Sequence, residues 1–368
     1  MIYVSLLIVI LTYIFLNYLV GNRLLKSLNE IRNLNKKVYW VLFTLISSSF
    51  FIYQFLNKSL PHIINKTLAF ISSYYLSFFL YLLILFPIAF TLTKLLKFKD
   101  KKVDLYLISL IIVTLIVCVG TYFGVSPYVK TYDIKVDKHL KNGELKVALV
   151  SDIHLGELIG NDRLDKLLTE VNSLDADVVL IAGDLIDSSL DPIIEDNMLT
   201  KFKNMKSLYG TYFATGNHDF FAGEASQLSA LAEENNITVL RDNSILINDD
   251  FYIIGRDDIS SKSFSNERAP LENIISNVDK NKLSIVMDHN PENVKDSEEN
   301  NIDLQVSGHT HGGQVFPGNI ITNALFPIDY GYGKFGNTNV VVSSGFGTWG
   351  PLIRVGSRSE VVLITLHN

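Results

Sequence analysis

The run Leu145-Lys146-Val147-Ala148-Leu149-Val150-Ser151-Asp152-Ile153-His154-Leu155-Gly156 changes character at its midpoint. A short apolar stretch stops at Ser151, and a carboxylate and an imidazole follow two positions apart. An apolar run of this length, bounded by polar residues, reads as a strand buried on both faces. Side chains two apart in extended chain point to one side, so Asp152 and His154 can grip one ion from the end of such a strand.

The pattern recurs along the chain. Asp177 to Ala182 ends in Gly183-Asp184, Thr211 to Ala214 precedes Gly216-Asn217-His218-Asp219, and Leu283 to Met287 precedes Asp288-His289-Asn290-Pro291. Leu304 to Ser307 runs into Gly308-His309-Thr310-His311-Gly312-Gly313-Gln314, where His309 and His311 repeat the two-apart spacing. Further strands are expected at Phe251 to Ile254, Val340 to Ser343 and Val361 to Leu366. Asn161 is placed to cap a helix whose apolar positions Leu164, Leu167, Leu168 and Val171 recur at helical spacing. Other helices are expected near Asp191 to Ser207, Glu224 to Asn235 and Arg268 to Val278. Such alternation predicts an α/β layered domain with helices packed outside its sheets. In open α/β sheets ligands collect beyond the carboxyl ends of strands, and the polar clusters fall there.

Each cluster alone fits an ordinary turn. Together they hold five of the chain's eight histidines, each at the end of an apolar run. Asp184 is a lone carboxylate placed to bridge two cations, whose charge would keep it ionised. The single cysteine, Cys118, lies inside an apolar run, so no disulfide framework or thiolate site is expected and any metal falls to His, Asp, Glu or Asn.

The order D-x-H, G-D, G-N-H-D, a single His and G-H-x-H resembles the calcineurin-like metallophosphoesterase superfamily. The resemblance implies a β-sandwich flanked by helices, and it covers about Leu145 to Leu366. The strings S-D-I-H-L-G and G-H-T-H-G-G-Q, with the ending Gly345 to Arg354, are most similar to its bacterial membrane-associated phosphodiesterase branch. That likeness assigns Asp152, His154 and His311 to one divalent metal, Asn217, His289 and His309 to a second, and Asp184 to both. It makes His218 a catalytic, non-ligand histidine beside the phosphate, with Asp219 orienting it. Imidazole and carboxylate ligation suits Mn, Fe or Zn. Two cations about 3.5–4 Å apart would clamp phosphoryl oxygens and lower the pKa of a shared water for in-line attack, with His218 donating toward the leaving oxygen. Arg354, Arg256 and Trp349 are weaker candidates for substrate contact, set against structural ion pairs and packing, and Asp257 and Asp258 read as a turn.

The first third of the chain differs. Four apolar stretches, about 2–20, 38–56, 68–93 and 103–125, are long enough to cross a hydrocarbon core of about 30 Å as helices. The expected organisation is a transmembrane region at 1–125, a linker at 126–144 and a catalytic domain at 145–368. Tyr3, Tyr39, Trp40, Tyr122 and Tyr128 sit near span ends, where amphipathic rings favour the headgroups. The first stretch lacks a basic n-region and a small-residue cleavage site, so it is expected to be retained. Asn17, Gln54, Ser72 and Ser73 read as helix-interface residues, and Pro87 as a kink or span end.

The first connecting loop carries Arg23, Lys26, Arg32, Lys36 and Lys37, the third Lys94, Lys97, Lys99, Lys101 and Lys102, and the second only Lys58 and Lys66. The positive-inside rule then predicts an extracytoplasmic catalytic domain, with Lys130, Lys135, Lys138 and Lys141 as a counter-signal. A net charge of −6 gives no global basic field, which argues against a nucleic-acid partner. The expected function is a multi-pass cell-membrane phosphoesterase acting on phosphodiester or pyrophosphate bonds of a lipid-linked or envelope-associated substrate. A phosphomonoesterase is the alternative within enzymes. Members related to the branch cleave UDP-2,3-diacylglucosamine, which becomes relevant if the domain faces the cytoplasm; a non-catalytic membrane receptor would show degenerate ligands.

Overall fold

The computed structural model describes residues 2–56, 60–95, 104–221, 223, 225–264 and 268–368. Of the residues named above, Lys58, Lys97, Lys99, Lys101, Lys102, Val103 and Glu224, with the side chain of Tyr3, lie outside that description. The chain divides into two compact units, residues 1–121 with 350–352, and 122–349 with 353–368.

Four helices are long and apolar enough to cross a bilayer: α1 (Ile2–Ile31), α2 (Lys36–Leu56), α3 (His62–Leu95) and α4 (Leu105–Val125). Helix α1 runs well past the expected end of its span, so Arg23 and Lys26 lie in helix and not in a loop. Arg23 Nη2 meets Asp104 Oδ1 at 3.6 Å, joining α1 to the residue before α4. Helix α3 continues through Pro87 to Leu95, so the proline does not end the span. Several polar groups are bonded within or between these helices. Tyr13 Oη donates to the Ser47 carbonyl at 2.6 Å, Tyr75 Oη donates to Asn17 Oδ1, and Ser72 Oγ donates to the Ala69 carbonyl at 2.9 Å.

The second unit contains, in chain order, β1 (Tyr128–Lys135), β2 (Glu144–Val150), α5 (Asn161–Asn172), β3 (Val178–Ala182), α6 (Asp191–Glu195), β4 (Thr211–Ala214), α7 (Asn217–Phe221) and α8 (Ala225–Glu233). It continues with β5 (Ile237–Val239), β6 (Asn243–Ile247), β7 (Phe251–Gly255), α9 (Leu271–Ile274), β8 (Leu283–Met287), α10 (Val294–Glu299) and β9 (Leu304–Ser307). It ends with α11 (Gly318–Leu325), β10 (Gly331–Phe335), β11 (Thr338–Val342) and β12 (Glu360–His367).

Two six-stranded mixed sheets result, ordered β1-β12-β2-β3-β4-β5 and β10-β11-β9-β8-β7-β6. Strands β2 to β5 are mutually parallel, as are β7, β8, β9 and β11. Val147, Leu149, Leu180 and Ala182 of the first sheet share one buried cluster with Ile253, Ile285, Met287 and Val306 of the second. This is the sandwich core. Each fully buried Val, Leu or Ile there contributes roughly 1.5–3 kcal/mol of transfer free energy.

The segment expected as a linker holds β1, which pairs in parallel with β12 from Tyr128↔Glu360 to Lys135↔His367. Its exposed Thr131, Asp133 and Lys135 alternate with the less exposed Lys130, Tyr132 and Ile134, as in a strand at the edge of its sheet, so it lacks the continuous apolar signal of the inner strands. Helix α5 buries Leu164, Leu167, Leu168 and Val171 as its spacing predicts. Its N-cap is Gly160, and the Asn161 side chain instead donates to the Asp196 carbonyl at 2.9 Å, so the capping expectation is corrected. Between Arg268 and Val278 only the short α9 forms, and the expected helix from Asp191 becomes α6 followed by a 3-10 helix at Met198–Asn204.

Candidate metal centre

Strands β2, β3, β4, β8 and β9 deliver their terminal polar clusters to one end of the sandwich. Backbone bonds lace them together: Asp152 N donates to Gly183 O, Asp288 N to Val306 O, and Gly308 N to His289 O, all at 3.0–3.1 Å. The chain turns abruptly there. Asp152 (φ 51°), His154 (52°), Asp184 (52°), His309 (71°) and His311 (53°) all adopt left-handed backbone. For residues other than glycine this conformation is uncommon, and its concentration in one set of side chains marks a site whose geometry is imposed by its surroundings.

Glycine permits the close approaches. A Cβ on Gly308 would lie 2.2 Å from Asp152 Oδ2, and one on Gly216 2.2 Å from Asp184 Oδ1.

Among the described residues, Asp152, His154 and His311 bring one donor atom each to within 4.8 Å of one another, as do Asp152, Asp184 and His289. The Asp184 carboxylate lies between the groups, with Oδ2 3.7 Å from His154 Nε2 and 3.2 Å from His289 Nε2. His309 Nδ1 stands 2.7 Å from Asn217 Oδ1, and the His309 amide donates to Asp152 Oδ1 at 3.0 Å. The structure thus gathers Asp152, His154, Asp184, Asn217, His289, His309 and His311 at one place.

Second contacts set ring orientation. His289 Nδ1 lies 2.8 Å from the Ala182 carbonyl, which can only accept, so Nδ1 carries a proton and Nε2 is the nitrogen turned inward. Among the described residues that buried Nε2 makes no aligned hydrogen bond. His311 Nε2 faces Asp152 Oδ1 at 3.3 Å and His154 Nε2 at 3.1 Å, while Arg354 Nη2 donates toward its Nδ1 at 3.3 Å.

His218 stands at this cluster in α7. Its amide donates to Asp184 Oδ1 at 2.8 Å, and its Nδ1 donates to the Asp187 carbonyl at 2.6 Å. A third group, His154, Asp187 and His218, also has donors within 4.8 Å. Because Nδ1 of His218 is committed to a carbonyl, that group is the weaker metal set. Asp187 escaped the sequence reading, since it follows Asp184 in a Leu-Ile-Asp-Ser-Ser stretch without a strand-end cluster of its own. Its Oδ1 is 3.4 Å from His154 Nδ1.

Asp219 does not orient the His218 ring. Its fully buried carboxylate accepts the amides of Asp184 (3.0 Å), Ile186 (3.1 Å) and Gly216 (2.7 Å), tying the β3 loop to the β4 loop. Consecutive side chains on a helical turn diverge by about 100°, which sends Asp219 inward while His218 faces the site.

The charges are strongly interdependent. Burial would raise the Asp184 carboxyl, but His289, His154 and His218 hold it well below the usual range. Burial, then Asp184, pushes Asp219 up to about 7. Burial opposes charge on His154 and His289, yet Asp187 and Asp184 raise the former, and Asp184 raises the latter well above the usual imidazole value. His311 is driven well below it by burial, His154 and Arg354.

Residues 145–313 match the calcineurin-like phosphoesterase family. The chain is 34% identical over 242 residues to an uncharacterized metallophosphoesterase of Campylobacter jejuni, covering 66% of this chain and 63% of that protein. It is 31% identical over 264 residues to one from Aquifex aeolicus, covering 68% of this chain and 97% of that protein. The chain belongs to the calcineurin-like phosphoesterase family. A family member from Bos taurus, a transmembrane protein with metallophosphoesterase domain, is 32% identical over 256 residues, 66% of this chain and 57% of that protein. The chain thus spans less than two thirds of the Campylobacter and bovine relatives' length.

The weaker candidates of this family member resolve differently. Arg354 is fully buried, and its Nη2 donates to the carbonyls of Gly345 (3.1 Å) and Gly347 (2.6 Å). Arg256 is also buried, with Nη1 3.1 Å from both Asp288 Oδ2 and Asp296 Oδ2. Both guanidiniums are buried and bonded to protein groups around the site. Trp349 is exposed, its amide bonded to Gln314 Oε1 at 2.8 Å. Asp257 is more than a turn residue, pairing with Arg241 Nε and Nη2 at 2.9 Å each, and Asp258 is buried.

Proposed function

We propose that this chain is a membrane-anchored phosphoesterase that uses two divalent cations to hydrolyse phosphodiester or pyrophosphate bonds of a lipid-linked or envelope-associated substrate. The observation that carries this reading is the convergence of five left-handed ligand residues, Asp184 among them, on one group of donor atoms. The donor set suits the cations: carboxylates, imidazoles and an amide oxygen without thiolate, with the buried Nε2 of His289 aimed inward.

Asp152, His154 and His311 would hold one ion, Asn217, His289 and His309 the other, with Asp184 shared. Bound there, the cations supply Lewis-acid polarisation of phosphoryl oxygens and acidify water. The protein's residues do the rest. Ala182 O fixes the His289 tautomer, the paired glycines keep side chains out of the cradle, and Asp219 fixes the two loops that carry Asp184 and His218. With Nδ1 anchored on Asp187 O, a protonated His218 holds its second proton on Nε2 and passes it to the leaving oxygen.

The anchor bears on the substrate. Basic residues concentrate around the first and third connections, the flanking helix ends included, which favours a catalytic domain outside the cytoplasm and a substrate met there. A fusion after His367 of a reporter active only in the cytoplasm should be silent; activity would reverse the orientation and favour a lipid-linked nucleotide. Hydrolysis of bis(p-nitrophenyl) phosphate with Mn²⁺ tests the centre. His218→Ala should lose about 10²–10⁴-fold in kcat, and wild-type turnover would remove His218 from its role. A paired monoester assay decides against or for a phosphomonoesterase.

A further inference from the structure

A cleft of about 750 Å³ opens beside the candidate centre. Gly312, the residue after His311, lines it together with Asn319, Ile320 and Asn323 of α11, and Phe123, Tyr128, Tyr330 and Arg358 close its other side. We propose that α11 and this cleft form a lipid-docking subsite that receives a phosphoester lipid still seated in the bilayer; the proposal rests on the hydrolytic reading above and names the substrate class.

Two features point to a lipid. Helix α11 buries none of its residues, and Ile320, Ile321 and Leu325 are 60%, 59% and 70% exposed. These positions, with Ala324, recur at i, i+1, i+4 and i+5 and share one face, whereas Thr322 turns back to Asp329, donating to its Oδ2 at 2.7 Å. An apolar face of this kind lies stably in the headgroup boundary and is unfavourable in water.

The cleft's far wall belongs to the end of an apolar span. Phe123 is in α4, whose last residues belong to the second unit and are bonded within it: Ser359 N donates to Phe123 O and Arg163 Nη2 of α5 to Gly124 O, both at 3.0 Å, and Arg163 Nη1 to Val125 O. Tyr122 and Tyr128, beside Phe123, are amphipathic rings of the kind that favour a lipid headgroup region. Arg358 supplies the charge. Its guanidinium lies 5.1–5.9 Å from the Tyr122, Phe123 and Tyr128 rings, its Nε donates to the Ser126 carbonyl at 3.0 Å, and among the described residues neither Nη has a hydrogen bond. A guanidinium with two open nitrogens is the natural partner of a lipid phosphate. Asp329, the cleft's carboxylate, is engaged by Thr322.

The test uses the full chain in lipid nanodiscs, in a Cys118→Ser background. A polarity-sensitive dye on Ile321→Cys should be quenched by acyl-brominated lipids, and the same dye on Asn281→Cys, in an exposed loop, should not. Equal quenching at both positions would overturn membrane docking and leave the face to a protein partner. A phosphatidic acid carrying a photoreactive acyl chain should crosslink within residues 318–325, and Arg358→Gln should reduce that crosslinking about tenfold. Undiminished crosslinking would remove the arginine from the subsite. His218→Ala should crosslink like the wild type, so that failure of hydrolysis and failure of docking are read separately.

Discussion

The two units use the same side chains against different surroundings. Leu11 of α1 is 55% exposed among neighbours that are apolar all round, while Leu208 before β4 is 67% exposed beside Lys206 and Ser207. In the catalytic unit Leu149, Leu180 and Ile285 are wholly buried between sheets that end in charge. Exposed leucine belongs to a helix long and apolar enough to cross a bilayer in one unit and to a short polar loop in the other, and what distinguishes them is the length and continuity of the apolar run. The polar groups show the same divide. In the helices they are scattered, with bonds such as Ser72 to the Ala69 carbonyl and Tyr75 to Asn17, whereas in the catalytic unit imidazoles and carboxylates converge on one point.

The largest way to break this comparison is to remove the point of convergence. Asp184→Asn should cost at least about 10³-fold in phosphodiester hydrolysis, by analogy with loss of a preorganised electrostatic group, and should lower the metal content measured by elemental analysis. Retained metal and turnover would mean that Asp184 is not shared between ions. Next comes the solvent of the helices. Leu11→Arg should cost about 2.5–3.5 kcal/mol of insertion free energy, read as a fall in membrane-integrated protein. Leu208→Arg, equally exposed, should change the denaturation midpoint by less than about 0.5 kcal/mol. If the two substitutions behave alike, α1 does not meet lipid.

Asp219→Ala should destabilise the catalytic unit by about 1–3 kcal/mol, because three buried amides lose their acceptor. A chemical denaturation series measures it, and the loss should exceed that of His218→Ala. The smallest effect is a pH dependence. In the metal-free protein His154 and His289 hold protons more tightly than ordinary imidazoles. Their contribution to metal-free stability is therefore present below about pH 6.5 and is lost as pH rises through their raised values. Cations must displace those protons, so the thermal shift produced by Mn²⁺ should grow as pH rises above 6.5. A shift that shrinks instead would remove both histidines from the ligand set.

Much of the catalytic fold was legible. The inner parallel strands are short unbroken apolar runs, so β3, β8 and β9 emerge almost as read. What escaped was β1, β5, β6 and β10, the four edge strands of the two sheets, where exposure replaces the apolar run with mixed polarity. Helix α11 escaped because it packs nothing beneath it. At the centre every candidate ligand was legible from strand-end spacing and the family resemblance. The roles of Asp219, Asp187, Arg354 and Arg256 were not, since a carboxylate holding backbone amides and one facing a ring look the same in sequence.

The sequence by itself determined the division into apolar helices and an α/β domain, the ligand types and the strand ends that bear them. Periodicity and composition encode local burial, and local burial decides those features. Only the tertiary structure decided that Asp184 lies between two ligand groups, that Asp219 serves the backbone and that two arginines are buried supports. Those roles depend on which strand ends meet, and meeting is fixed by sheet order, which no single segment carries.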